Sequence, residues 1–201
     1  MSTIHSIEEN NLKVISEKQP DEVSSVIMES TQYSNTDVPK LEQWHYFPSV
    51  LYTIERPEFL NTMSMVSKEY NNTVLYDIGS YKGLSAIALS SNQNNLVVSY
   101  DIEYLLKVDR PNNVEFRIGN FYNDKQLLSS PLIMFDIDPH DGLQEKEFVR
   151  YLTSNNYKGS VIFDDIHLND GMKDFWSSVT QQKQDYTNLG HWSGTGVVHF
   201  T

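Results

Sequence analysis

The sequence predicts an α/β fold: a doubly wound, mostly parallel seven-stranded sheet ending in a C-terminal antiparallel hairpin. Three observations carry this reading. From residue 74 onward, short apolar runs alternate with stretches at helical spacing, the pattern of parallel strands with helices on both faces. A glycine turn joins the first strand to the first helix within 74–89, Val-Leu-Tyr-Asp-Ile-Gly-Ser-Tyr-Lys-Gly-Leu-Ser-Ala-Ile-Ala-Leu. The last two strands are separated only by Gly190-His191-Trp192-Ser193-Gly194-Thr195-Gly196, too short for a helical crossover, so they must run antiparallel.

Taken in order, strands are expected near 74–77, 96–101, 114–118, 132–137, 160–164, 184–190 and 195–200. Helices are expected near 83–91, 103–107, 122–128, 143–155 and 170–181. Residues 1–40 are polar, with Ile4, Ile7, Leu12, Val14 and Ile15 too scattered to define a core face. They read as a flexible or loosely packed N-terminal arm, with a helix around 20–30. Residues 41–201 form one domain, in which 41–70 is a helical N-terminal cap and 71–201 the α/β core. Within the cap, Pro57 suits the first turn of a helix at 57–69.

Composition narrows the function classes. The 201 residues carry a net charge of −12 and no cluster of Lys and Arg, which disfavours nucleic acid and anionic membrane partners. There is no cysteine, so disulfides and thiolate metal sites are excluded. No apolar run approaches a membrane span or a signal peptide, so the expected location is cytoplasmic. A homo-oligomer is compatible with this composition.

The residues at the strand ends carry the chemistry, because ligands of doubly wound sheets sit outside the carboxyl ends of the strands. The first strand ends in Asp77, followed by Gly79, Ser80, Tyr81 and Gly83. The glycines allow close approach to the backbone, and the helix start offers free N–H groups. The spacing, D-x-G-x-x-x-G, is neither the dinucleotide fingerprint G-x-G-x-x-G nor a phosphate loop, since no Lys-Ser or Lys-Thr follows Gly83. The second strand ends in Asp101, with Glu103 two residues on. The third is followed by Gly119-Asn120.

The fourth and fifth strands run into Asp136-Ile-Asp138-Pro-His140-Asp141 and Asp164-Asp165-Ile-His167. So many ionisable groups in adjacent turns are costly unless solvated or neutralised by a cation, and carboxylates suit a hard divalent ion such as Mg2+. His140 and His167 are candidate general bases for a substrate hydroxyl, with Asp138 as the alternative. Asp141, ahead of Gly142, suits a helix cap.

The segment Asp-Ile-Gly-Ser-Tyr-Lys-Gly-Leu-Ser-Ala resembles the cofactor loop of class I S-adenosylmethionine-dependent methyltransferases, the small O-methyltransferases in particular. The resemblance covers about residues 70–201 and implies a Rossmann-like fold. It implies that Asp77, Gly79, Ser80, Tyr81 and Gly83 border S-adenosylmethionine, that Asp101 takes the ribose hydroxyls and that Asn120 reads the adenine amino group. The paired strand-end acids are similar to those of the metal-dependent catechol-type and sugar O-methyltransferases. Matched residue to residue, the metal ligands become Asp136, or Asp138 if the register shifts by two, with Asp164 and Asp165. The implied reaction is Mg2+-dependent methylation of a hydroxyl on a small molecule or sugar. Two alternatives stand beside it: a cofactor-binding protein without turnover, and a haloacid-dehalogenase-type phosphatase suggested by Asp136-Ile-Asp138.

Overall fold

A computed structural model describes residues 63–64, 66–103, 111–188 and 192–201. Its strands are β1 (Val74–Ile78), β2 (Leu96–Asp101), β3 (Val114–Ile118), β4 (Leu132–Phe135), β5 (Gly159–Asp164), β6 (Gln182–Asp185) and β7 (Thr195–Phe200). The helices between them are α1 (Leu84–Leu89), α2 (Leu143–Ser154) and α3 (Asp170–Ser178). All seven strands form one sheet in the order β3-β2-β1-β4-β5-β7-β6. Neighbours are parallel except at β7, which lies antiparallel between β5 and β6.

The inner strands are buried on both faces, as helices above and below require. Tyr76, Ile78, Ile133, Phe135, Val161 and Phe163 point into one core, which α2 and α3 close with Phe148, Leu152, Met172 and Phe175. Leu75, Val97, Leu132, Met134 and Ile162 point into a second core, closed by Ala86, Ile87, Ala88 and Leu89 of α1 and by Met63. The alternation along each strand therefore decides which helix layer each residue meets.

Two expectations change in detail. The helix expected at 122–128 is instead two short 3-10 turns, Phe121–Asn123 and Lys125–Ser129. Asn120 accepts the Tyr122 N–H and Asp124 accepts the Gln126 N–H, so each side chain starts its own turn and neither grows into a helix. Asp124 also ties this loop to the sheet, taking the hydroxyls of Tyr76 (2.7 Å) and Tyr100 (3.1 Å) and the Arg117 guanidinium (2.6 Å) on one oxygen. The strand expected at 184–190 ends at Asp185, whose carboxylate turns back to accept the Thr187 N–H and hydroxyl.

The N-terminal arm, most of the cap, the helix expected at 103–107 apart from its first residue, and His191 lie outside the described residues. Among the described residues no helix is long and apolar enough to cross a membrane.

Phe148 is fully buried, stacked on Phe135 at 4.3 Å and edge-on to Phe121 and Phe163. Phe148→Ala is expected to destabilise the fold by about 3–5 kcal/mol in denaturant titrations. A loss below about 1 kcal/mol would mean that α2 does not close this core.

Candidate active site

Gly79 leaves β1 with φ +99°, a conformation that side chains rarely adopt, and a Cβ there would lie 1.7 Å from the Asp136 carbonyl oxygen. Glycine at this position lets the turn after β1 rest directly on the turn after β4, where Asp136 N–H also bonds the Ile78 carbonyl at 2.9 Å. The N–H groups of Gly79 and Ser80 both reach the Tyr100 carbonyl, binding the loop to the end of β2. Tyr81 also has positive φ, and Gly83 begins α1 in the left-handed region.

Asp77 lies under this loop, fully buried. The Ser99 hydroxyl donates to its Oδ2 at 2.6 Å, and Ser80 Oγ lies 2.5 Å from Ser99 Oγ. Ser99 has one proton, so Ser80 must donate to Ser99, and a chain of hydroxyls links the carboxylate to the loop. Asp77 Oδ1 has no hydrogen-bond partner. Burial pushes the carboxyl up to about 6 against the pull of the Ser99 and Ser85 hydroxyls, and the Asp101 charge adds to the rise. Ser99 is a site residue that sequence reasoning missed. It sits mid-strand with no motif, and only the register Asp77–Ser99 brings it to the loop.

Asp101 accepts the N–H of Tyr81 at 2.7 Å on one oxygen and that of Ile102 at 2.7 Å on the other. Oδ1 also accepts the Glu103 N–H at 3.4 Å, so Oδ2 is the oxygen that retains a lone pair for a further donor. Asn120 is exposed and uses its carbonyl oxygen on Tyr122 N–H, which is turn chemistry. Ile102 and Ile118 are exposed at the ends of β2 and β3, on either side of this corner.

On the other side of Gly79, the 136–142 loop brings Asp136 and His140 to Asp165, with one ligand atom from each lying within 4.8 Å of the others. His140 Nε2 is 3.6 Å from Asp136, 3.5 Å from Asp138 and 3.8 Å from Asp165. Asp138 is almost fully exposed, and Asp165 is buried. Asp164 stands apart from this group: it closes β5 opposite Thr195, and its Oδ1 accepts the Asp165 N–H at 2.9 Å. Asp141 caps α2 by accepting the Leu143 N–H. His167 is committed elsewhere, its Nε2 lying 2.7 Å from Asp185 Oδ2. Burial alone would raise the Asp185 carboxyl, but hydrogen bonds from Thr187 and His167 hold it below the usual carboxylate range.

Two further residues escape sequence reasoning. Asn169 caps α3 by accepting the Met172 N–H, and its amide donates to the His140 carbonyl at 2.8 Å, fixing the loop against the helix. Glu145 is buried behind the loop, its carboxyl raised by burial. Asn before an apolar helix signals a cap, but nothing in the sequence signals what its other end holds. A groove of about 500 Å3, bordered by Lys146 of α2, Phe175 of α3 and Gln181 beyond α3, holds none of the groups named at the strand ends.

The strand order with a reversed β7, the glycine turn after β1 and an acid ending β2 together decide the fold family. The chain has the class I methyltransferase fold. A methyltransferase of Podospora anserina, PaMTH1, solved with S-adenosylhomocysteine, superimposes with a TM-score of 0.58 at 16% identity over 90% of this chain and 94% of its own. A Staphylococcus aureus protein bearing the name caffeoyl-CoA O-methyltransferase gives 0.56 at 14% identity over 71% of this chain and 82% of its own. TomG, an O-methyltransferase of Streptomyces achromogenes involved in tomaymycin synthesis and solved with S-adenosylmethionine, gives 0.50 at 14% identity, covering 71% and 79%. Neither a protein-family model nor a curated protein matches the sequence. The phosphatase and non-catalytic readings gain no support from these likenesses.

A carboxyl raised to about 6 makes stability depend on pH. Between about pH 4 and 6 the folded chain keeps a proton that the unfolded chain has lost, so stability falls as pH rises through that window. The shift is worth about 3 kcal/mol at most. Asp77→Asn is therefore expected to be more stable than the parent above pH 6, by up to about 3 kcal/mol, with the difference fading toward pH 4. Thermal melts of both proteins across that range test this. A difference that does not change with pH would show that Asp77 keeps an ordinary carboxyl.

Proposed function

We propose that the chain is an S-adenosylmethionine-dependent O-methyltransferase acting on a hydroxyl of a small molecule or sugar. The observation that carries this reading is the meeting of two sites at the β1–β4 switch point, where Gly79 packs on Asp136. On one side lie a glycine loop without phosphate-binding chemistry and a two-oxygen acceptor, Asp101. On the other lie acids and an imidazole suited to a hydroxyl. The fold shared with the cofactor-bound proteins from Podospora anserina and Streptomyces achromogenes supports the choice of methyl donor.

In this reading Asp101 accepts the ribose hydroxyls, and the Asn120 amide donates to the adenine ring. Ile102 and Ile118 give the base apolar surface. Asp77, Gly79, Ser80, Tyr81 and Gly83 bound the methionine part, and the buried Asp77 carboxylate offers its partnerless oxygen to that end of the site. The acceptor oxygen displaces the sulfonium sulfur. A C–O bond forms as the S–CH3 bond breaks, S-adenosylhomocysteine leaves, and the hydroxyl proton passes to the Asp136–Asp138–His140–Asp165 cluster. Alignment of oxygen, methyl carbon and sulfur does much of the work.

Asp136, His140 and Asp165 also fit a divalent cation by their chemistry: two carboxylates and an imidazole whose donor atoms are already gathered. A bound cation lowers the pKa of a coordinated hydroxyl. The net charge of −12 favours a cationic methyl donor and a neutral acceptor over a polyanionic one.

Calorimetry should show binding of S-adenosylmethionine and S-adenosylhomocysteine, weakened about tenfold or more in Asp101→Ala, on the scale of about 1.5–3 kcal/mol for a charged hydrogen bond. Release of S-adenosylhomocysteine with a panel of phenols, sugars and aliphatic alcohols then reports turnover. Absence of cofactor binding by the intact chain would refute the assignment.

A further inference from the structure

We propose that Asp136, His140 and Asp165 form a mixed nitrogen–oxygen site for a borderline dication of the Zn2+ or Co2+ kind in preference to Mg2+, with His140 as a ligand. The inference rests on the cation reading above and departs from the all-carboxylate set that the sequence suggests. Mg2+ takes oxygen donors at near-ideal octahedral geometry. An imidazole among the donors moves preference toward the later metals. Asp164, which an all-oxygen set needs, is not in the group, while His140 is.

The two histidines separate the possibilities within one molecule. His167 and Asp185 make an ordinary imidazole–carboxylate hydrogen bond at 2.7 Å. His140 Nε2 makes none: three carboxylate oxygens stand around it at 3.5, 3.6 and 3.8 Å. A single N–H in search of a carboxylate would settle on one of them. Donors that share an ion stay apart by the edge of its coordination polyhedron. For tetrahedral sites with bonds of about 2.0–2.2 Å that edge is about 3.3–3.6 Å. For octahedral Mg2+ at about 2.1 Å it is about 3.0 Å. The 3.6 Å from His140 to Asp136 matches the first, and the 3.8 Å to Asp165 lies nearer the first than the second.

An independent observation lies behind the loop. Glu145 is 2% exposed, and its Oε2 is buried with no hydrogen-bond partner, although backbone hydrogen bonds at Gly142 and at Glu145 itself reach its carboxyl. A buried carboxylate oxygen without a donor is costly in its charged form, and a cation nearby would lower that cost. Main-chain support for the ligand is in place as well, since the Asn169 amide holds the His140 carbonyl. Three protein donors leave a coordination position open, as in catalytic zinc sites. His140 then carries no proton from the acceptor, and Asp138, nearly fully exposed beside it, is the group left to take it.

The test uses the tag-free full chain, stripped with chelator. Co2+ is titrated by visible absorption, and Zn2+ and Mg2+ by calorimetry. One Co2+ per chain is expected, with the intense bands of four- or five-coordination, and Zn2+ is expected to bind about 100-fold or more tightly than Mg2+. His140→Ala should weaken Co2+ and Zn2+ about tenfold or more and leave Mg2+ unchanged. His140→Asn is the second variant, because Asn tolerates the left-handed backbone at this position (φ +52°), and melting curves confirm that both fold. Equal or tighter Mg2+ binding, or a Co2+ affinity indifferent to both substitutions, would overturn the proposal while leaving a cation site. If no ion binds, the cation reading falls with it. S-adenosylmethionine calorimetry on the same sample shows separately whether the methyl-donor assignment stands.

Discussion

The site depends on a close approach that only glycine permits. At Gly79 the end of β1 lies against the carbonyl of Asp136, where any side chain would collide with backbone. Parallel strands β1 and β4 are neighbours in the sheet but far apart in sequence, so this contact is what joins the glycine loop to the acidic loop. Displacement of either turn by a single Cβ would move Asp136 and the Gly79 amide together. The same sterics recur one layer out. Gly142 abuts the Gly171 carbonyl and Gly171 abuts the Asp141 carbonyl, so the acidic loop is pinned against the start of α3 as well. Asn169 completes that clamp through the His140 carbonyl. The acidic loop is thus held from both sides by backbone contacts, the kind of rigid support that a functional site needs.

The second constraint is electrostatic. Asp77, Asp101, Asp136, Asp164 and Asp165 all stand at the carboxyl ends of β1, β2, β4 and β5. The fold disposes of them in different ways. Asp101 is satisfied by backbone N–H groups, Asp164 accepts the N–H of its successor, and Asp77 is held by a hydroxyl chain while burial raises its proton affinity. Asp136 and Asp165 are instead turned toward one another and His140. Carboxylates satisfied by backbone are structural anchors with spare lone pairs. Carboxylates gathered round an imidazole concentrate negative potential where a cationic donor or a metal ion lowers the energy.

Much of this was legible in the sequence because the relevant signals are local. The glycine turn, the alternation of strands and helices and the closing hairpin each occupy a few residues, and strand-end acids can be read once the strands are drawn. What was hidden depends on pairing across the sheet. Ser99 reaches Asp77 only through the β1–β2 register, and the placement of β7 between β5 and β6 has no local signature. Asp164 and Asp165 look equivalent in the sequence, yet Asp165 adopts φ +57° and turns to the cluster while Asp164 remains in the strand. The two 3-10 turns after β3 were read as a helix because periodicity is blind to side chains that cap their own backbone.

That difference between Asp164 and Asp165 shows how a strand end becomes a site. A β-strand sends successive side chains to opposite faces, so two adjacent acids cannot both meet a common ligand while both remain extended. The chain resolves this by ending β5 between them. Asp164 keeps strand geometry, pairs with Thr195 and uses its carboxylate to cap the amide of Asp165. Asp165 then takes up the left-handed conformation, in which Asp is one of the few residues that sit without large strain. One carboxylate holds the turn so that the other can face His140 and Asp136. Asp164 thus supports the turn that brings Asp165 to the imidazole and carboxylate of the facing loop.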